Sequence, residues 1–375
     1  MNRRGFLVIA ATAGEGAVAQ PAPVDGPVRP PPPHDAVPPQ RAAQHERLVA
    51  EGEAALARRD TAAAQSCFER AALVLHDPAS ELGLVRCYLQ AGAYRRALAF
   101  AAHTAGAHLE SAGGAALYAW LLQAGGQDAL ARAQLQQARV QAPDAPLLKF
   151  AASELARPWP VAAGALLAPP ARFAPYAPPV PGKVVATGTL VRGGHAVLAP
   201  AGAARPGARH WVRTGLGDTV AARVTQRPSW LGLQELLLES PLPDPGLRVA
   251  ARDPFPGSVA MAIEFALQAA GLPAWPWLKA GFVGAALPQP GLRMLGIAMP
   301  EGGARGGPVF DKQGALCGIA INQGHHDRLV GSAGLRDWPG SGLGAAPLAQ
   351  AADAPMGPDA VYEQGLRAAV QVLRG

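Results

Sequence analysis

The densest chemistry in the sequence is a glycine-rich turn, Gly303-Ala304-Arg305-Gly306-Gly307-Pro308, followed by Val309-Phe310-Asp311 and then Gly314 to Ile319. Glycines at such spacing let backbone N–H groups converge on one point. With the Arg305 guanidinium added, the turn would make an anion pocket for a peptide C-terminus or an acidic side chain. The alternative is that Arg305 fills a cleft or points to solvent. Other reactive side chains are scattered. His195, His210, Asp218, Ser229 and Ser240 show no spacing that puts a nucleophile on a base and a third group behind it. His325-His326-Asp327 reads as a solvated loop rather than a metal site. Cys317 sits in the apolar run Leu316–Ile319, where a buried small hydrophobe is the expected role. Three cysteines build neither a disulfide scaffold nor a four-ligand zinc site. No cofactor and no metal are expected.

The elements that must hold the glycine turn are short and apolar. Runs at Lys183–Val191, His195–Ala199, Trp211–Thr214, Thr219–Gln226, Leu233–Glu239, Ser258–Phe265, Phe282–Ala285, Arg293–Met299, Val309–Phe310 and Ala315–Ile321 alternate with turn signals. Strands of this length and spacing predict an all-β sandwich or paired barrels over 183–349. Residues 350–375 follow as a tail, with Pro358–Leu373 at helical spacing.

Upstream, residues 44–145 are rich in alanine and leucine at helical spacing. Leu48, Gly52, Ala55, Ala64, Phe68 and Ala71 form one set. Leu82, Arg86, Leu89, Ala97, Ala101 and Thr104 repeat it 33 or 34 residues later, and Ala115, Ala119, Leu122, Ala131, Leu135, Ala138 and Pro143 form a third copy. This resembles the tetratricopeptide (TPR) repeat, in which small residues let paired helices approach and larger ones such as Phe68 and Leu135 fill the gap. Three repeats can bury a shared core and present a surface for peptides or protein segments. Cys67 and Cys87 fall on helices expected to be neighbours, as two buried thiols or as a disulfide. Proline-dense stretches at 20–43 and 146–182 read as a tether and a linker.

The glycine turn also resembles the segment around the nucleophile of trypsin-like, HtrA-type serine proteases, glycine-x-serine-glycine-glycine-proline followed by a strand ending in Gly-Ile. Two upstream stretches extend the resemblance: Thr187–Val191 with Gly193-Gly194 and His195–Leu198, and then Leu233–Leu238. The resemblance implies a double β-barrel with an oxyanion-hole-like turn at Gly303, Arg305, Gly306 and Gly307. It does not bring the catalytic residues with it. The serine position holds Arg305, the histidine position falls at Gly202 and the aspartate position at Gly232. Glycine carries no proton-transfer group, and arginine stays protonated and is no nucleophile.

The chain has 33 Lys and Arg against 27 Asp and Glu, a formal charge of +6. The arginines are scattered rather than gathered on one patch, which argues against nucleic acid as a partner. With 44 glycines and 38 prolines among 375 residues, more than a fifth of the chain favours turns and loops. Outside the extreme N-terminus no apolar run reaches the roughly 18 residues a membrane span needs. Met1 to Ala19 has a basic pair at Arg3-Arg4, an apolar stretch from Phe6 to Ala13 and Ala17-Val18-Ala19 before Gln20. That pattern predicts an export signal over 1–19, of the general or twin-arginine type, and a periplasmic or secreted mature chain. The expectation is a multidomain chain, all-α TPR-like repeats and then an all-β trypsin-like double barrel, that binds peptides or proteins without hydrolysing them. The alternatives are an active trypsin-like serine endopeptidase whose site lies elsewhere, and a structural adaptor working through the repeats.

Overall fold

The structure, a computed structural model, describes residues 37–156, 166–167, 173–174, 182–265, 274–298, 305–323, 326–350 and 353–375. The expected export signal at 1–19 and most of the 20–43 tether lie outside them. Residues from Pro39 to Gly375 form one compact unit.

The chain first builds helical hairpins. Helices α1 (Pro39–Ala57) and α2 (Thr61–Val74), α3 (Pro78–Gln90) and α4 (Tyr94–Ala107), and α5 (Ala112–Ala124) and α6 (Asp128–Gln141) pair in sequence, and α7 (Pro146–Leu155) follows. Local chemistry sets the starts. Asp60, Asp77 and Ser111 accept from the free N–H groups of Ala63, Ala79 and Gly114, and Pro78 occupies the first turn of α3. The three expected repeats therefore correspond to three hairpins. Phe68 is fully buried between α1 and α3, where a side chain at Gly52 or Gly83 would strike its ring. Close helix approach is thus bought with glycine rather than with alanine alone.

Two closed six-stranded antiparallel barrels follow. The first is ordered β14-β2-β3-β6-β5-β4, from β2 (Lys183–Val191), β3 (Ala196–Pro200), β4 (His210–Thr214), β5 (Thr219–Val224), β6 (Leu233–Leu238) and β14 (Ala369–Arg374). The second is ordered β10-β13-β12-β11-β7-β9, from β7 (Val259–Glu264), β9 (Trp277–Ala286), β10 (Leu292–Gly296), β11 (Pro308–Phe310), β12 (Leu316–Gln323) and β13 (His326–Gly331). Closure leaves neither barrel an open edge. The fold class is therefore an all-α repeat region followed by an all-β double barrel.

Several boundaries move. Helices extend beyond 44–145 at both ends, because α1 begins at Pro39 and α7 occupies the start of the expected linker. That linker also pairs β1 (Leu166–Leu167) with β8 (Ala274–Trp275), and it buries Phe173 against the rings of Trp120 and Phe150 at 5.9 and 5.6 Å. The C-terminal helix, expected to run to Leu373, ends at Ala368 as α9 (Pro358–Ala368), and the next six residues become β14 between β2 and β4. His326 and Asp327, expected in a loop, open strand β13.

The helices rest on the barrels through one continuous apolar core containing Leu89, Trp120, Phe265, Trp275 and Leu366. Tyr94 at the start of α4 packs edge-on to Tyr362 at 5.7 Å and near Trp275 at 6.3 Å. Its neighbour Arg95 reaches Asp359 and Glu363 of α9 at 3.2 and 2.7 Å.

Candidate functional site: the glycine turn before β11

The chain segments beside Gly202, Gly232 and Arg305 touch one another. The Ala201 N–H, beside Gly202, donates to the Gly232 carbonyl at 2.9 Å. At Gly306, next to Arg305, an added Cβ would stand 2.6 Å from Cδ of Pro200 and 2.1 Å from the Thr187 carbonyl oxygen. Its φ of +127° is a conformation that glycine alone adopts without strain. The turn before β11 is thus pressed onto the end of β3, where Gly202 begins the next loop.

Three polar backbone groups of that turn have partners in three different strands. The Thr189 hydroxyl on β2 donates to the Gly306 carbonyl at 2.8 Å. The Gly307 N–H donates to Oε1 of Glu264 on β7 at 3.1 Å, and the Ala320 N–H on β12 donates to the Gly307 carbonyl at 3.0 Å. The Gly307 N–H, expected among the converging donors, is therefore held by a carboxyl group. Gly303 lies outside the described residues.

Arg305 is buried, 8% exposed, and forks onto Asp327 of β13: Nε to Oδ1 at 2.9 Å and Nη2 to Oδ2 at 3.3 Å. The guanidinium expected to offer an anion pocket already holds a carboxylate of its own chain. Glu264 lies beside this pair and is fully buried. Burial raises its pKa to about 7, against the opposing effects of the Thr187 hydroxyl, the Arg305 charge and the Gly307 N–H.

The other polar candidates are held elsewhere. His195 precedes β3, and Gly202 follows it, so a strand of five residues separates them, roughly 16 Å of chain. His210 is buried at the start of β4 with Nδ1 at 3.0 Å from the Ala208 carbonyl. Asp218 forms an ion pair with Arg59 of the first helical hairpin. Ser229 and Ser240 are exposed. His325 lies outside the described residues. Cys317 is buried, and burial pushes its thiol up, away from the thiolate a nucleophile needs. Cys67 and Cys87 are both free thiols. Cys67 is only half-buried, and Cys87, pushed up to about 12 by burial, is chemically quiet.

Sequence reasoning missed Glu264 and Asp327, the two carboxyl groups that fix the turn. Glu264 ends an apolar run and reads as its boundary. Asp327 follows two histidines, which drew attention to the wrong chemistry.

No protein-family model matches the chain, and no curated protein matches it. Solved structures do resemble parts of it. The TPR domain of Arabidopsis OM64 is 14% identical over 31% of this chain and 96% of its own length, with a TM-score of 0.28. The Yersinia enterocolitica type III secretion translocator chaperone SycD is 20% identical over 30% of this chain and 86% of its own, TM-score 0.28. The serine endoprotease from Yersinia pestis is 16% identical over 39% of this chain, TM-score 0.33, and this chain spans 53% of that protein.

Proposed function

We propose that the chain is a non-catalytic protein of trypsin-like protease fold that binds peptides or protein segments, acting as a scaffold or regulator in the cell envelope. The observation that supports this is Arg305, which stands where the resemblance expects a serine nucleophile and is locked to Asp327, while Gly202 and Gly232 stand at the positions it assigns to the base and its carboxylate. Peptide hydrolysis requires a nucleophile in hydrogen-bond contact with an oriented base. In a serine protease, loss of the triad lowers turnover by about 10⁶. Binding uses other groups, namely backbone edges, grooves and the faces of stacked helices, and so survives the loss of chemistry. Stacked helical hairpins favour protein ligands, because they present an extended surface rather than a small closed pocket. Among the described residues no helix is long and apolar enough to cross a membrane. Placement in the envelope rests on the signal-like pattern of residues 1–19.

The test is hydrolysis of fluorescent casein by residues 20–375, together with labelling by a serine-reactive fluorophosphonate. The reading expects neither turnover nor labelling. Turnover that the probe abolishes would place a working serine in the chain and establish the endopeptidase alternative.

A further inference from the structure

Away from the barrels, the helical repeats gather a set of side chains with ligand chemistry. Glu81 lies in the first turn of α3 and is 3% exposed. Three imidazoles surround its Oε1: Nε2 of His76 at 2.8 Å, Nε2 of His103 at 3.5 Å and Nε2 of His108 at 3.7 Å. His76 comes from the loop between α2 and α3, His103 from the last turns of α4, and His108 from the residue that caps α4. The antiparallel α3–α4 hairpin places the start of one helix beside the end of the other, which brings the four together. The rings of His76 and His108 are 4.8 Å apart.

Hydrogen bonding alone does not account for this arrangement. One carboxylate oxygen has two lone pairs, and three ring nitrogens face it. Two buried atoms here have no hydrogen-bond partner, Oε2 of Glu81 and Nε2 of His108, and His108 is only 8% exposed. A single dication held among His76, Glu81 and His108 gives the unpartnered Nε2 of His108 a partner.

We infer that His76, Glu81 and His108, with His103 at 3.5 Å from Glu81 as a further donor that must swing in, form a binding site for a divalent transition-metal ion, with zinc as the best match. In a tetrahedral site with bonds of about 2.0–2.1 Å, ligand atoms stand about 3.3–3.4 Å apart. The distances from Glu81 Oε1 to the three ring nitrogens, 2.8 to 3.7 Å, bracket that edge. The ligand atoms of His76, Glu81 and His108 all lie within 4.8 Å of one another, so closure onto an ion needs side-chain rotation only. Three imidazole nitrogens and one carboxylate oxygen suit zinc and its neighbours, whereas calcium and magnesium prefer oxygen throughout. A second carboxylate is placed to orient a ligand: Nδ1 of His108 is 3.5 Å from Oε1 of Glu110. Bound metal would clamp the α2–α3 loop to both helices of the second hairpin, fixing the first repeat against the second. This site is independent of what the barrels do.

The experiment uses residues 20–375 stripped with a chelator, then titrated calorimetrically with Zn²⁺, with Co²⁺ as an optical probe of coordination. The expected result is one zinc per chain, a tetrahedral Co²⁺ spectrum and a higher melting temperature with zinc. His76→Asn/His103→Asn keeps size and polarity at two exposed positions, so the helices are retained and the far-ultraviolet dichroism is unchanged. In that variant zinc affinity falls at least tenfold and the melting shift disappears. The site is overturned if the wild-type chain holds no stoichiometric zinc. It is equally overturned if the variant binds zinc as the wild type does, or if His325→Ala/His326→Ala removes the binding instead.

Discussion

Arg305 and Asp327 meet as a two-point fork, with Nε and Nη2 of the guanidinium on Oδ1 and Oδ2 of the carboxylate at 2.9 and 3.3 Å. The pair joins the turn before β11 to the opening of β13, two strands apart in the same barrel. Both side chains are mostly covered, 9% and 17% exposed. Asp327→Ala leaves a buried guanidinium without its carboxylate. Losing one partner of a fully buried pair costs about 3–5 kcal/mol, and the partial exposure here reduces that to about 2 kcal/mol. Arg305→Met leaves Asp327 unpaired instead, but that carboxylate is the more exposed partner, so the loss should be smaller. Urea unfolding of the two variants checks the order, and equal losses would mean that the difference in exposure does not matter.

Restoring the family's residue at one position does not restore its chemistry. Arg305→Ser supplies a hydroxyl, but under the proposed function the base and carboxylate positions hold Gly202 and Gly232, which have no side chain to accept a proton. A serine without a contacting base keeps its ordinary, weakly nucleophilic hydroxyl. The variant is therefore expected to resist fluorophosphonate labelling and to leave casein intact. Labelling at Ser in that variant, read by intact mass, would reveal a base that the cleft does not display.

Glu264 makes stability fall as the pH rises. Its pKa is about 7 in the folded chain and near the ordinary 4.5 when unfolded. Between those values the folded state holds the proton that the unfolded state has released, so the slope of stability with pH is negative. The contribution is complete below pH 4.5 and lost by the time the pH passes 7, a difference of about 3 kcal/mol. Glu264→Gln keeps an oxygen for the Gly307 N–H and removes the titration. Urea midpoints at pH 5 and pH 8 should differ less in the variant than in the wild type, with the variant the more stable at pH 8. An unchanged difference would assign the pH dependence to another group.

The sequence made the repeat hairpins and most strands legible because both have strong periods. Leu48, Phe68, Leu89, Ala101 and Leu135 all reach the interior as their spacing demands. Two of the barrel strands were hidden. Ala369–Arg374 continues a helical apolar pattern from Pro358, and only its place between β2 and β4 makes it a strand. His326–Gly331 begins with polar residues, and its apolar half is too short to stand out. The glycine turn around Arg305 was legible because it carries a pattern. The groups that fix it, Glu264 and Asp327, act across the barrel, and no local spacing announces a partner 43 or 22 residues away. The histidine and glutamate cluster of the repeats was invisible for the same reason.

The contact between Gly83 and Phe68 sets two familiar effects against each other. Alanine at a helix-interior glycine normally stabilises by about 1 kcal/mol. Here the new Cβ would stand 2.3 Å from Cδ1 and Cε1 of the Phe68 ring. The ring has little room to retreat, because it is fully buried and an equivalent Cβ at Gly52 on its other side would lie only 2.8 Å from Cζ. Overpacking of this kind costs about 1–3 kcal/mol, which exceeds the helical gain. Gly83→Ala is therefore expected to lower stability by about 1 kcal/mol. Phe68→Leu removes the obstructing ring edge, so in that background the same substitution should become neutral or stabilising, giving a favourable coupling in the double-mutant cycle. Thermal melts of the four proteins measure it. A stabilising Gly83→Ala in the wild-type background would show that the ring shifts freely, and that the close approach of α1, α2 and α3 does not depend on these glycines.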